Sequence, residues 1–361
     1  MKKIDHLKKT VSVDTKDIDG WLNLGDAYYD QEDFANAINA YKKALEINPY
    51  LSEAWNNLGL VYSYTEEFQN AIDCFKKATE YDPDDSIAYY NMGFSYEDLE
   101  KYDEAIEAYK KAIEIDPIYI DAWNNIALIY RDKEMYDEAI KVYEKALKID
   151  PDDIIIIKNL AQIYFDKKEY EKAINYYRSG LELNPDNLSR SEIWYKLGNV
   201  YYEIDEYDSA VQCFQKVLEF NPYDVEAFNA LGLSLTYIGE FEKSIECYQK
   251  ALTLDPEDDI IHENIGFSYS NLKMYDKAIE YYKKAIDLNP GYFTAWKNLG
   301  IVYHDIEDHN NAIICYEKAL ELFPHDFEIW EKLGSIYKTK KDYKKAEKCY
   351  KKADNLKLEI S

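Results

Sequence analysis

Few side chains in this sequence are of the kinds that carry out reactions, and their spacing limits what they could do. The five cysteines stand at 74, 213, 247, 315 and 349, so no two are closer than 34 residues and no zinc-ligand spacing exists. Thiols scattered in this way read as small buried hydrophobes. Of His6, His262, His304, His309 and His325, only His304 and His309 are near neighbours, and no third metal ligand accompanies them. There is no glycine-rich phosphate loop and no nucleophile elbow. With 70 acidic residues, pairs of carboxylates arise by chance and single out no acid–base couple. No catalytic residue, no metal and no cofactor is therefore expected. What remains is a row of amides: Asn23, Asn57, Asn91, Asn125 and Asn159, then Asn264 and Asn298. A carboxamide offers one acceptor and two donors, so such a row could hold the N–H and C=O groups of an extended peptide.

The elements that must position these asparagines show in the rare residues. The nine prolines, at 49, 83, 117, 151, 185, 222, 256, 290 and 324, are spaced by 34 except for one gap of 37. The six tryptophans and five cysteines keep the same ruler, and one 34-residue unit repeated ten times from Ile18 to Ile360 accounts for all of them. Numbered from Ile18, position 8 is Gly or Ala, position 11 is Tyr except at Leu235, position 20 is Ala except at Ser244, and position 24 is always Tyr or Phe. Apolar residues at 4, 7, 8 and 11, and again at 20, 24, 27, 28 and 30, have the 3-to-4 spacing of two amphipathic helices. Each unit is predicted to be a helical hairpin, ended by the proline at position 32. Small residues at positions 8 and 20 are expected to let its helices approach closely.

This pattern, as in WNNLGLVY followed by AIDCFKKA and DP, resembles the tetratricopeptide repeat family over residues 18 to 360. The resemblance implies an all-α fold, an α-solenoid of ten helix-turn-helix units wound into a right-handed superhelix. First helices would line a concave groove and second helices the convex side. It also implies a binding scaffold rather than an enzyme. The asparagine row is similar to the ladder in the superhelical repeat domain of O-linked N-acetylglucosamine transferases, with Lys196, Ala230 and Lys332 departing from it. The basic clamp by which some members grip chaperone C-termini has no counterpart, since Lys158, Lys196 and Arg131 stand elsewhere and among acids.

A solenoid exposes its terminal faces and must cap them. At the C-terminal end, position 28 changes from Leu, Ile or Thr to Asp354, and Lys338 to Lys357 holds nine lysines against three acids. The predicted organisation is an N-terminal segment 1–17, units one to five over 18–187, an insertion at 188–190, and units six to ten over 191–361. At an offset of 173 residues the two halves agree at positions that the family does not dictate. Leu60, Phe94 and Leu128 correspond to Leu233, Phe267 and Ile301 at position 9, and Tyr64 to Tyr237 at position 13. GFSY occurs at Gly93–Tyr96 and again at Gly266–Tyr269. We expect a duplicated five-unit block with two related grooves.

In those grooves, the position 9 residues are candidate anchors for apolar side chains of a bound segment, with Tyr29, Tyr64, Tyr90, Tyr195, Tyr202 and Tyr237 beside them. The six groove positions (2, 5, 6, 9, 12 and 13) hold 16 acids and 6 bases, within a net charge of −27. So acidic a face argues against nucleic acid and for a protein or peptide partner of basic character. No membrane insertion is expected, and the lack of an apolar run among the five lysines of residues 1–16 predicts a cytoplasmic protein. The predicted function is a non-enzymatic adaptor that binds an extended, partly basic segment. The alternatives are a self-assembling scaffold, through the lysine-rich terminus and the acidic face, or the recruiting partner of a separately encoded enzyme.

Overall fold

The computed structural model describes residues 2–360; Met1 and Ser361, the outer limits of the predicted first and last segments, lie outside the described residues. Among them there are 21 helices and no strand. The chain divides into two compact units, Met1–Leu183 and Asn184–Ser361.

The first unit contains α1 (Lys2–Val13), α2 (Ile18–Tyr29), α3 (Phe34–Ile47), α4 (Ser52–Tyr64), α5 (Phe68–Tyr81), α6 (Ser86–Asp98), α7 (Tyr102–Ile115), α8 (Ile120–Asp132), α9 (Tyr136–Ile149), α10 (Ile154–Asp166) and α11 (Tyr170–Glu182). The second contains α12 (Asn187–Glu203), α13 (Tyr207–Phe220), α14 (Val225–Tyr237), α15 (Phe241–Leu254), α16 (Asp259–Asn271), α17 (Tyr275–Leu288), α18 (Phe293–Asp305), α19 (His309–Leu322), α20 (Phe327–Thr339) and α21 (Tyr343–Ile360). From α2 onward the helices pair as predicted, even-numbered with the odd-numbered one that follows. Each unit is an all-α helical-repeat solenoid.

Local chemistry sets the length of each hairpin. Several first helices start at an aspartate whose side chain accepts from the backbone three residues on, as Asp85 does from the Ala88 N–H at 2.9 Å. They end at a residue with positive φ, Glu32 at 58° and its equivalents, closed by bonds such as Asp33 N–H to Tyr28 C=O at 2.9 Å. Most second helices end where the residue before proline turns extended, as Asn48 does at φ −132° and ψ 97°, whereas Asn184, after α11, has φ 55°.

One bond links the tryptophan and proline rulers. The Trp55 indole N–H donates to the Pro49 carbonyl at 2.8 Å, Trp123 to Pro117 at 2.9 Å, and Trp296 to Pro290 at 3.0 Å. These tryptophans thus fasten their helices to the end of the preceding hairpin, and at Pro256 the His262 ring nitrogen stands in, 3.1 Å from the carbonyl.

Inside the hairpins that have glycine at position 8, the close approach is to a ring. That glycine faces the ring at position 24, and the Ala or Ser at position 20 is buried as well. A Cβ built on Gly25 would lie 2.4 Å from Tyr41 Cε1, and one on Gly232 2.5 Å from Tyr248 Cε1. These rings are fully buried and form the spine of the core.

The ends are closed differently. Residues 2–13 form α1, whose Ile4 and Val11 are buried against α2, covering the first hairpin. At the other end, α21 buries Ala353 and Leu356 and leaves Asp354 exposed. The insertion at 188–190 is helical: α12 absorbs it and runs for 17 residues where α14 has 13. No helix among the described residues is long and apolar enough to cross a membrane.

Candidate functional site

First helices lie side by side within each unit: α2 against α4 against α6, and α8 against α10, in the first; α14 against α16 against α18 in the second. Their common outer face carries the predicted groove positions.

The asparagines on that face spend donor capacity on one another's helices. Asn91 Nδ2 donates to Asn56 Oδ1 at 3.2 Å, Asn159 to Asn124 at 2.7 Å, and Asn264 to Asn229 at 3.1 Å. Asn57 donates to Asp26 at 3.3 Å, and Asn125 contacts the hydroxyls of Tyr90 and Tyr109 at 3.4 and 3.2 Å. Asn298 donates to Glu263 at 2.6 Å, while Asn23 turns back to the Asp19 carbonyl at 2.7 Å. Six of the seven therefore tie a first helix to an earlier hairpin. Their Oδ1 atoms and remaining N–H groups are what they can offer a ligand.

The position 9 residues separate into two kinds. Leu60, Leu128, Leu233 and Ile301 are half-buried, with Leu60, Leu233 and Ile301 packed against core clusters. Phe94 and Phe267 stand out at 48% and 42% exposure. Tyr64 and Tyr237 are more exposed still, at 65% and 59%, and lie at the edge of the face where first helix turns to second.

Two bases on the face are held by nearby acids. Lys297 Nζ lies 2.8 Å from Asp326 and 2.9 Å from Glu328, and Arg131 bonds Asp132 at 2.9 Å. The crowding of acids has a cost: burial, then the carboxylate of Glu66, holds Asp98 above the usual carboxylate range. Burial likewise raises Glu97, although the Tyr109 hydroxyl donates to it at 2.8 Å.

Reactive chemistry is not assembled here. Burial pushes the Cys74 and Cys315 thiols up to about 12 and Cys247 to about 11. The rings of His304 and His309 are 6.0 Å apart, and burial lowers His304, helped by Lys332. Among the described residues no three His, Cys, Asp or Glu side chains converge on a common point.

Comparison with known proteins gives this arrangement its relatives. Models described as tetratricopeptide repeats or TPR repeats match residues 152–222, 232–273, 260–292, 293–326 and 327–359, together more than half of the chain. The chain belongs to the tetratricopeptide repeat family. A model of the cilia and flagella-associated protein 70 C-terminal domain matches residues 5–167. No curated protein matches the chain. Among solved structures, a tetratricopeptide repeat protein from Parabacteroides merdae is 23% identical with a TM-score of 0.50, over 70% of this chain and 98% of that one. MamA is 28% identical with a TM-score of 0.44, over 45% of this chain and 96% of its own. YrrB, described as having an unusual peptide-binding site, is 25% identical with a TM-score of 0.46, over 53% of this chain and 96% of its own.

Tetratricopeptide repeats are typically non-catalytic modules for protein–protein interaction. Two features of this tetratricopeptide face escape sequence reasoning. Glu263, at position 5, is buried at 6% exposure. The exposed Tyr64 and Tyr237 belong to trios of rings completed by Phe34 and Tyr207, whose position 17 reads as framework in nearly every repeat.

Proposed function

We propose that the first-helix face holds an extended, partly basic segment of a partner protein. The observation that carries this reading is the exposure of Phe94 and Phe267 at the same register of the two units. Packing leaves both rings in solvent on a face where acids outnumber bases 16 to 6. An apolar anchor surrounded by carboxylates suits a segment that alternates a hydrophobic side chain with Lys or Arg. Asn91 and Asn264 flank those rings and keep a carbonyl oxygen for the segment's backbone, each such bond contributing on the order of 1 kcal/mol. Attraction of this kind weakens as salt rises.

The experiment is selection of random peptides, displayed on phage, against the full chain. We expect basic sequences with one large apolar residue, and about tenfold weaker binding of the selected peptides to the double variant Phe94→Ser, Phe267→Ser. Enrichment of acidic peptides, or affinity indifferent to both phenylalanines, overturns the reading.

A further inference from the structure

Each unit carries the same three-ring cluster. In the first, Tyr29 meets Tyr64 edge to face at 5.4 Å and 79°, and Tyr64 stacks on Phe34 at 6.0 Å and 20°. In the second, Tyr202 meets Tyr237 at 5.6 Å and 83°, and Tyr237 stacks on Tyr207 at 4.6 Å and 11°. Every member is displaced by 173 residues from its counterpart. The recurrence extends to geometry, not only to residue type.

Core packing does not explain the outermost ring. Tyr64 and Tyr237 stay 65% and 59% exposed although each is stacked on a neighbour. Each cluster also sits in a negative field. Asp30 acts on Tyr29, Glu203 acts on Tyr202 and Tyr207, and the Tyr207 hydroxyl is bonded to Asp205 at 2.5 Å. Asp30 and Glu203 are exposed and occupy the same place in the two units.

Elsewhere the chain covers rings with its own cations. Lysines lie over Tyr62, Tyr96, Tyr269 and Tyr337 at 5.6, 5.8, 5.0 and 4.9 Å. Among the described residues no lysine or arginine lies over any of the six rings of the trios, although Tyr64 and Tyr237 are exposed and carboxylates act on both clusters.

We propose that each trio is a docking site for an arginine side chain of an extended partner segment. A guanidinium is planar and weakly hydrated, so it stacks on the exposed ring of Tyr64 or Tyr237 while its N–H groups reach Asp30 or Glu203. The proposal rests on the reading of the first-helix face given above and names the residue that the partner must bring to its edge.

The test uses the full chain and a fluorescein-labelled peptide of sequence Gly-Ser-Arg-Gly-Ser-Arg-Gly-Ser, followed by fluorescence anisotropy at low salt. Its control replaces both arginines by citrulline, which keeps the shape and removes the charge. We expect the citrulline peptide to bind about fivefold more weakly or worse. The double variant Tyr64→Ala, Tyr237→Ala should bind the arginine peptide no better than wild type binds the control. Both rings are exposed, so circular dichroism melts should be unchanged, and Tyr64→Phe, Tyr237→Phe should retain binding. Equal binding of the two peptides, no binding of either at about 1 mM, or wild-type affinity in the alanine double variant overturns the proposal. In those cases the reading of the face still stands if phage-selected peptides depend on Phe94 and Phe267, and falls with it if they do not.

Discussion

Glu263 lies buried beneath the first-helix face, and the side-chain amide of Asn298 donates to its Oε1 at 2.6 Å. Its charge acts on Tyr248, Tyr282 and Tyr292, and no ion pair to it exists among the described residues. Burial raises its carboxyl above the ordinary range, outweighing the amide bond. A group whose folded pKa is raised contributes stability fully present below its unfolded pKa, about 4.3, and lost as pH rises through the folded value. As pH rises above the unfolded value the group therefore weakens the fold, because the unfolded chain gives up this proton more readily than the folded one. Glu263→Gln keeps an acceptor for Asn298 and removes the charge. We expect its melting temperature to exceed that of wild type by a few degrees at pH 8, the gap narrowing as pH is lowered toward 5. A variant that melts below wild type at pH 8 refutes this account.

Gly232 and Gly239 stand seven residues apart and should respond to alanine for different reasons. At Gly232 the added Cβ meets the buried Tyr248 ring at 2.5 Å. Overpacking costs about 1–3 kcal/mol against a helix-propensity gain of up to about 1 kcal/mol. Ala127 and Ala161 occupy this position in two other hairpins, and α8 with α9, where Ala127 sits, are the least closely apposed such pair. At Gly239 a Cβ would meet nothing within 4 Å, but φ is +82°. There the cost is backbone strain alone, about 1 kcal/mol net of the unfolded-state gain. Urea midpoints should fall for both variants. Gly239→Asn should recover most of its loss, because Asn tolerates this conformation, whereas Gly232→Asn should not.

The repeat was legible because Trp, Pro and the small residue at position 8 each do one local job wherever they stand in a hairpin, so their types recur with the period. The trios were half legible. Tyr29, Tyr64, Tyr202 and Tyr237 depart from the pattern, but Phe34 and Tyr207 look like any other position 17 residue. The burial of Glu263 was not legible, since its place on the helix predicts exposure and the rings near it come from other helices, before and after it in the chain. Nor was α1, whose Ile4, Leu7 and Val11 have helical spacing within a lysine-rich stretch too short to persist without the hairpin it covers.

The asparagine row can be tested as structure before any ligand is known. Asn91 and Asn264 occupy equivalent places and bond equivalent partners, Asn56 and Asn229, at 3.2 and 3.1 Å. Replacing either by alanine leaves its half-buried partner short of one donor, so each variant should lose about 1 kcal/mol in urea unfolding. Asn23→Ala, whose side chain is exposed and bonds only its own helix at 2.7 Å, should change stability by less than about 0.5 kcal/mol. Indistinguishable midpoints for all three would remove the inter-repeat role and leave the row to ligand binding alone.

The cysteines provide a readout of local opening. Burial raises the Cys74 and Cys315 thiols to about 12 and Cys247 to about 11, so at pH 8 little thiolate exists at any of them in the folded chain. Cys247 is the least buried of the five and has the smallest of these three values. Cys349 lies on α21, which among the described residues packs chiefly on α20. Iodoacetamide at pH 8 should therefore modify Cys247 and Cys349 first, with Cys74, Cys213 and Cys315 protected until urea opens the chain. Peptide mass mapping over a time course checks the order, and early modification of Cys74 would show that the first unit opens more readily than its buried Ala71, Ile72 and Phe75 imply.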